Sequence, residues 1–303
     1  MINVAIIIVS YNSNSLTDEC LESLKSLVVD ENLYSFCVYV VDNSDEEYKN
    51  IRKYPFDLEI IRSKVNLGFS GGNNLGIKRA INNGAEYVML LNNDTRVDKN
   101  LLRFLLKEAQ DEVVITTPKI YFEKGFEYHK TRYKKDELGR VIWYAGGVMD
   151  WKNMIGSHRG VDEVDKGQYD EKKTTDFATG CCMLIKSSIF KKIGMLDELY
   201  FLYYEDSDFC MRARKIGKIV FVPNALIWHK NAGSTGGSGS ALHDYFITRN
   251  RLLFGLKYAP LFVKLALFKE AVSILGKGRK WQKKGVRDFF LYRFGKGSYE
   301  GVA

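Results

Sequence analysis

An open α/β sheet, mostly parallel and flanked by helices, is the fold class this sequence predicts. Three observations predict it. The chain begins with an unbroken aliphatic run over residues 4–9, as expected of a strand buried on both faces of a parallel sheet. Strand-like and helix-like stretches then alternate as far as residue 117, the pattern of βαβ units. Four of the expected strand ends also carry clusters of Asn, Asp, Ser and Gly, at the edge where open α/β sheets bind ligands.

The elements follow in order. After the strand at 4–9 comes a polar turn, then a helix in which Leu16, Cys20, Leu24 and Leu27 recur at helical spacing. Ser15 and Asp18 fit a capping box with Asp in place of Glu. Strands are expected at 36–41 and 58–61, and a short helix at 72–83 with Leu75, Ile77, Ala80 and Ile81 as its apolar positions. A strand at 87–91, a helix at 99–109 and a strand at 113–117 complete the series. Residues 119–175 are rich in charge, glycine and aromatics and read as hairpins and mobile loops. Regular structure returns as a strand at 181–185, a helix at 206–216 and a strand at 219–222. Residues 233–240 have the composition of a flexible linker. Residues 242–275 read as mostly helical, with a basic tail after them. The domains expected are a body over 1–232, dividing at about residue 118, and a helical, basic C-terminal appendage over 241–303.

Composition narrows the function classes. With 46% apolar and 13% aromatic residues, the 303-residue chain can bury a full core. No stretch reaches the roughly 18 uninterrupted apolar residues of a spanning helix, and the start lacks the pattern of a signal peptide. The five cysteines are odd in number, include the adjacent pair Cys181 and Cys182, and show no CxxC spacing. They read as buried reduced thiols of a cytoplasmic protein. The net charge of +8 lies in one place, since Lys264 to Lys296 hold ten basic and two acidic residues. A neutral body with a basic, aromatic tail points to an anionic surface rather than to nucleic acid.

The polar strand ends hold the candidate chemistry. They are Ser10-Tyr11-Asn12-Ser13, Asp42-Asn43-Ser44, the stretch from Asn66 to Asn74, and Asn92-Asn93-Asp94. The third matches neither the GxGxxG of a dinucleotide fold nor a P-loop, although its glycines would let backbone approach a phosphate or sugar. Asn92-Asn93-Asp94 is either an Asx-turn or one carboxylate with neutral oxygen ligands for Mg²⁺ or Mn²⁺. Glu205-Asp206 either complements a helix dipole or supplies a base, its pKa raised by the apolar lead-in Tyr200–Tyr204. His229 carries no assignment alone. Arg249, on a helix, meets either phosphate or solvent.

Together these segments resemble glycosyltransferase family 2, an inverting family with the GT-A fold. The resemblance runs from Val9 to about Asn250 and includes Thr179-Gly180, Ile193-Gly194 through Glu198, Tyr203-Tyr204-Glu205-Asp206 and His229. It is nearest to the branch of rhamnosyltransferases and galactofuranosyltransferases of bacterial surface-polysaccharide assembly. It implies that Tyr11 and Asp42 contact the nucleobase, with Ser10, Asn12, Asn66, Gly68, Asn74, Asn93 and Arg249 also at the nucleotide-sugar. It implies that Asp94 holds Mg²⁺ or Mn²⁺ with His229 and Asn92, Asn92 standing where the family usually has an acid. Asp206 matches the catalytic base, and Glu205 would position it or contact the acceptor.

The donor implied is dTDP-rhamnose, with a UDP-hexose or UDP-galactofuranose behind it; the acceptor is a glycan or polyprenyl-linked saccharide. The place implied is the cytoplasm or the inner face of the cell membrane. The apolar positions between Leu252 and Phe268 would either dock on anionic lipid or pack against the body or a second subunit of a homodimer. Two other classes remain in view: a nucleotide-sugar-binding protein without catalysis, suggested by the missing acid, and a nucleic-acid-binding protein using the tail.

Overall fold

The computed structural model describes residues 1–49, 52–231 and 239–300. Most of the expected linker, residues 233–238, lies outside the described residues. The elements are β1 (Ile2–Ser10), α1 (Asn14–Leu24), β2 (Tyr34–Asp42), β3 (Asp57–Arg62), α2 (Gly68–Asn82), β4 (Tyr87–Leu91), β5 (Thr95–Val97), α3 (Leu101–Glu108) and β6 (Val113–Phe122). They continue with β7 (Ile142–Tyr144), β8 (Gly147–Asp150), β9 (Ile155–His158), β10 (Lys173–Thr174), β11 (Cys182–Lys186), α4 (Phe190–Ile193), α5 (Glu205–Ala213) and β12 (Lys218–His229). Three helices close the chain: α6 (Ala241–Tyr258), α7 (Leu261–Lys277) and α8 (Lys280–Phe290).

One sheet runs in the order β10-β12-β6-β11-β4-β1-β2-β3, with β5 on β12 and β7 on β6. The pairings of β1 with β2 and β4, β2 with β3, and β6 with β12 are parallel. β11 is inserted antiparallel between β4 and β6. Val4 to Ile8 are almost fully buried, as a two-sided sheet requires. In-register pairing sets Ser10 beside Asp42 and Asp42 beside Arg62, so the polar strand ends meet on one edge. This is the GT-A arrangement, a central, mostly parallel sheet flanked by helices. All five cysteines are free.

Three local readings are corrected. Helix α2 starts at Gly68 rather than 72, so the expected glycine loop is itself helical. Its glycines are needed for packing: a Cβ on Gly76 would stand 2.6 Å from Ile7 Cγ2, and one on Gly72 2.9 Å from Val9 Cγ1. Helix α1 takes Ser13 as its N-cap with no side-chain cap bond, which leaves Ser15 inside the helix. The strand expected at 219–222 runs on to His229, because a register shift between Val222 and Leu226 absorbs Pro223, a residue tolerated in sheets at such irregularities. The stretch expected to be mostly helical, 242–275, is α6 and α7, parted at Pro260, which sits before the first turn of α7 with Ala259 extended before it.

Candidate functional site

A cleft of about 660 Å³ opens at the carboxyl edge of β1 and β4. Tyr11, Asn66, Gly68, Asn92, Asn93, Asp94, Glu205, Asp206 and His229, all expected at the site, line it. The turn after β4 carries Asn92-Asn93-Asp94 into β5, and β5 pairs antiparallel with the end of β12, placing Thr95 against His229. That register brings His229 Nε2 to 3.0 Å from Asp94 Oδ1.

Both side chains are buried, and Asp94 Oδ1 has no aligned hydrogen-bond donor among the described residues. Burial pushes the Asp94 carboxyl up, but the contact with His229, a backbone N–H and the nearby Lys230 together outweigh it and hold the group below its usual value. A carboxylate oxygen and an imidazole nitrogen at this separation suit adjacent ligands of a divalent ion whose bonds are about 2.1 Å. The described residues contain no group of three His, Cys, Asp or Glu that could hold a metal. An ion here would draw its other ligands from phosphate oxygens and water, as Mg²⁺ commonly does. Asn93 faces α1, its amide donating to Ser13 Oγ at 2.6 Å and Thr17 Oγ1 at 3.0 Å.

The acid pair is presented by strained backbone. Phe201, Tyr203 and Tyr204 all have left-handed φ, at 61, 68 and 73°, which costs a non-glycine residue about 1–2 kcal/mol each. The surroundings fix the segment. The Phe69 N–H donates to Phe201 O at 2.8 Å. The Asn250 amide donates to Tyr200, Leu202 and Tyr203 carbonyls at 2.7, 2.8 and 2.8 Å, and Arg249 reaches the Tyr200 carbonyl at 3.3 Å. Phe201 stacks on Phe246 of α6, ring centroids 5.2 Å apart.

Helix α5 then begins with Glu205 and Asp206. Asp206 accepts the Gly180 N–H at 3.0 Å and the Ser207 N–H at 2.6 Å, which fixes the direction of its carboxylate. Burial nevertheless raises its pKa. Glu205 is raised well above the usual value by burial and then by the charge of Asp206, and its Oε2 has no partner among the described residues. Asp208, one turn on, accepts Lys257 Nζ and Tyr258 Oη at 2.9 Å and Arg212 Nε at 2.9 Å, tying α5 to α6.

Five expected contacts do not line the cleft. Ser10 is buried and accepts the Thr17 hydroxyl, and Asn12 pairs with Asp45. Asp42 is spent on the Ser44 and Tyr48 N–H groups and on Arg62. Asn74 is turned to Leu196 and Glu198. Arg249, read as meeting phosphate or solvent, meets neither: it is fully buried and bonded to carbonyls.

The structure adds residues that sequence reasoning passed over. Trp143 and His158 line the cleft, and Trp143 stands edge-on to both His158 and His229. Burial pushes His158 down to about 4, so its ring is neutral at ordinary pH. Leu242, His243 and Ile247 of α6 close another wall. Their shared signal, aromatic and histidine residues at no fixed spacing, identifies no site in a sequence.

The sequence and the fold converge on one class. Residues 5–194 match the model of glycosyl transferase family 2, and the chain belongs to that family. It is 30% identical over 215 residues to the low-salt glycan biosynthesis hexosyltransferase of Haloferax volcanii, an alignment covering 70% of this chain and 62% of that protein. It is 23% identical to the dTDP-rhamnosyl transferase of Shigella flexneri, over 87% of this chain and 83% of that protein. In fold it is similar to GalNAc-T7 crystallised with UDP, GalNAc and Mn²⁺, with TM-score 0.60, 16% identity, and 97% of this chain but 59% of that one covered. It is also similar to residues 1–349 of S. aureus TarS in complex with UDP-GlcNAc, with TM-score 0.55, 16% identity, and 95% and 79% covered. The chain thus spans less than two thirds of the Haloferax protein and of GalNAc-T7.

Proposed function

We propose that this chain transfers a sugar from a nucleoside-diphosphate-sugar to a hydroxyl of a glycan or lipid-linked acceptor, with inversion and with Asp206 as the base. The observation that carries the reading is the joint presence of two unlike centres on one cleft. One is the Asp94–His229 pair; the other is the half-buried Asp206 carboxylate with a raised pKa, aimed by the Gly180 N–H.

Asp94 and His229 are the residues that would hold a divalent cation, Mg²⁺ or Mn²⁺, whose bound charge would offset that of the diphosphate. Asp206 takes the proton of the acceptor hydroxyl as its oxygen bonds to the anomeric carbon. The bond from that carbon to the diphosphate oxygen breaks, the nucleoside diphosphate leaves with the electron pair, and one displacement inverts the centre. Glu205, beside the base, has its own pKa raised by burial and then by the charge of Asp206, so the pair favours a single ionised carboxylate. Tyr11 and Asn66 form the nucleotide wall.

Rhamnose is the sugar favoured, because relatives named for its transfer align with most of this chain. A further relative, the N-acetylglucosaminyl-diphospho-decaprenol L-rhamnosyltransferase of Mycobacterium tuberculosis, 39% identical over 22% of each chain, favours a lipid-linked acceptor. Incubation with dTDP-rhamnose and UDP-hexoses, with Mn²⁺ and candidate acceptors, tests the reading. Transfer from none of them would overturn it. A second reading, donor binding without catalysis, draws on Asn92 in place of an acid; donor-dependent thermal stabilisation without hydrolysis or transfer would favour it.

A further inference from the structure

Helix α7 has two unlike faces. Leu267 and Ala271 face inward, and Leu267 fits so closely against Gly255 of α6 that a Cβ there would overlap it. Leu261, Leu265, Phe268 and Val272 follow at spacings of four, three and four, and all are exposed, Leu261 at 68%. Such spacing draws one stripe along a helix. Phe262 borders it at 84% exposure. The stripe continues onto the end of α8: Phe268 meets Phe290 with ring centroids 5.7 Å apart, and Leu291 and Tyr292 are exposed just beyond, Tyr292 at 79%. A contiguous apolar surface of this kind marks an interaction site.

Its border is basic. At 100° per residue Lys264 and Lys269 flank the stripe on opposite sides. The acids of this region are spent internally: Glu270 pairs with Arg251 at 2.7 Å, and Asp288 is buried against Ser298 and Tyr245. Lys264, Lys269, Lys280 and Arg287 have no acidic partner among the described residues. No helix among the described residues is long and apolar enough to cross a membrane, so a bilayer would meet this surface from the side.

We infer that the α7 stripe and the end of α8 form an interfacial docking surface for an anionic lipid bilayer. The apolar side chains enter the headgroup boundary while the lysines meet lipid phosphates. Charge decides between this occupant and a second copy of the chain. A two-fold contact lays the patch on itself and sets one lysine border against the other, whereas anionic lipid complements both borders. The inference deepens the lipid-linked acceptor reading and takes its purpose from it, but the binding is separable from the chemistry.

The test is co-sedimentation of the full chain with vesicles of phosphatidylglycerol mixed with phosphatidylcholine, and of phosphatidylcholine alone. Binding to the mixed vesicles that falls with added salt is expected, with little on neutral ones. Lys264→Gln and Lys269→Gln should each weaken it about five-fold, and Phe262→Ser with Leu265→Ser about tenfold or more, with thermal unfolding and donor turnover unchanged. Equal binding to neutral vesicles, or none to either, overturns the inference. So does a dimer that these serine substitutions dissociate. Vesicle binding without sugar transfer would leave the docking surface standing and remove the transferase reading; transfer to a water-soluble acceptor without vesicle binding would do the reverse.

Discussion

The side-chain amide of Asn250, on α6, stands 2.8 Å from the backbone carbonyl of Tyr203, two residues before Glu205. With the Tyr200 and Leu202 carbonyls on the same nitrogen, one side chain holds the left-handed segment that aims the acid pair. Asn250→Ala should therefore lower kcat while leaving donor affinity within a few-fold, and should destabilise the fold by about 3 kcal/mol through unpaired buried carbonyls. Asn250→Asp, which offers only acceptors to those carbonyls, should be worse. Kinetics and thermal unfolding check both; a change confined to KM for the donor would remove the positioning role.

Asp206→Asn should cut transfer by about 10²–10⁴, the range for losing a general base, and leave nucleotide binding intact. Calorimetry with the nucleoside diphosphate and turnover with the preferred donor separate the two effects. Wild-type turnover in the Asn variant would transfer the role to Glu205.

Burial raises both Glu205 and Asp206, and the sign for stability follows. A carboxyl that holds its proton more tightly in the fold than in the unfolded chain favours the fold as pH falls from above the folded pKa towards the unfolded one. Glu205→Gln should therefore gain stability relative to wild type at neutral pH and lose that advantage below the ordinary carboxylate range. Activity should rise with pH through a value above that range, since the base must be ionised. Unfolding and turnover measured across pH check both directions.

His229→Ala and Asp94→Ala should each weaken Mn²⁺ binding measured by electron paramagnetic resonance with the nucleoside diphosphate present, by about tenfold or more. Unaltered Mn²⁺ binding in both would place the metal elsewhere. Away from the site, Gly76→Ala should cost about 1–3 kcal/mol of stability by driving a methyl into Ile7, with little change in donor affinity.

Much of this was legible in the sequence. The aliphatic run of β1 and the βαβ alternation depend on local periodicity, which a sequence displays directly. The polar strand ends also fell on one edge, because parallel register leaves little other choice. Residues 66–76 were harder: their glycines look the same whether they free a loop for phosphate or let a helix press on Ile7 and Val9. Arg249 was harder still. An arginine is usually solvated or paired with an anion, and nothing local reveals that this one lies among carbonyls from segments some 45–50 residues away. Trp143 and His158 reach the cleft through long-range pairing in a stretch without periodicity.

The dependence of the acid pair on α6 also sets an order of assembly. Asp94 and the strand ends of β1, β2 and β4 are complete early in synthesis, whereas Arg249, Asn250, Lys257 and Tyr258 follow Asp206 in the chain. Until those four have joined the fold, segment 199–203 lacks its carbonyl partners and Asp208 lacks two of its donors. A nascent chain thus completes the strand-end half of the cleft before the side chains that hold the segment leading to Glu205 and Asp206 have been made.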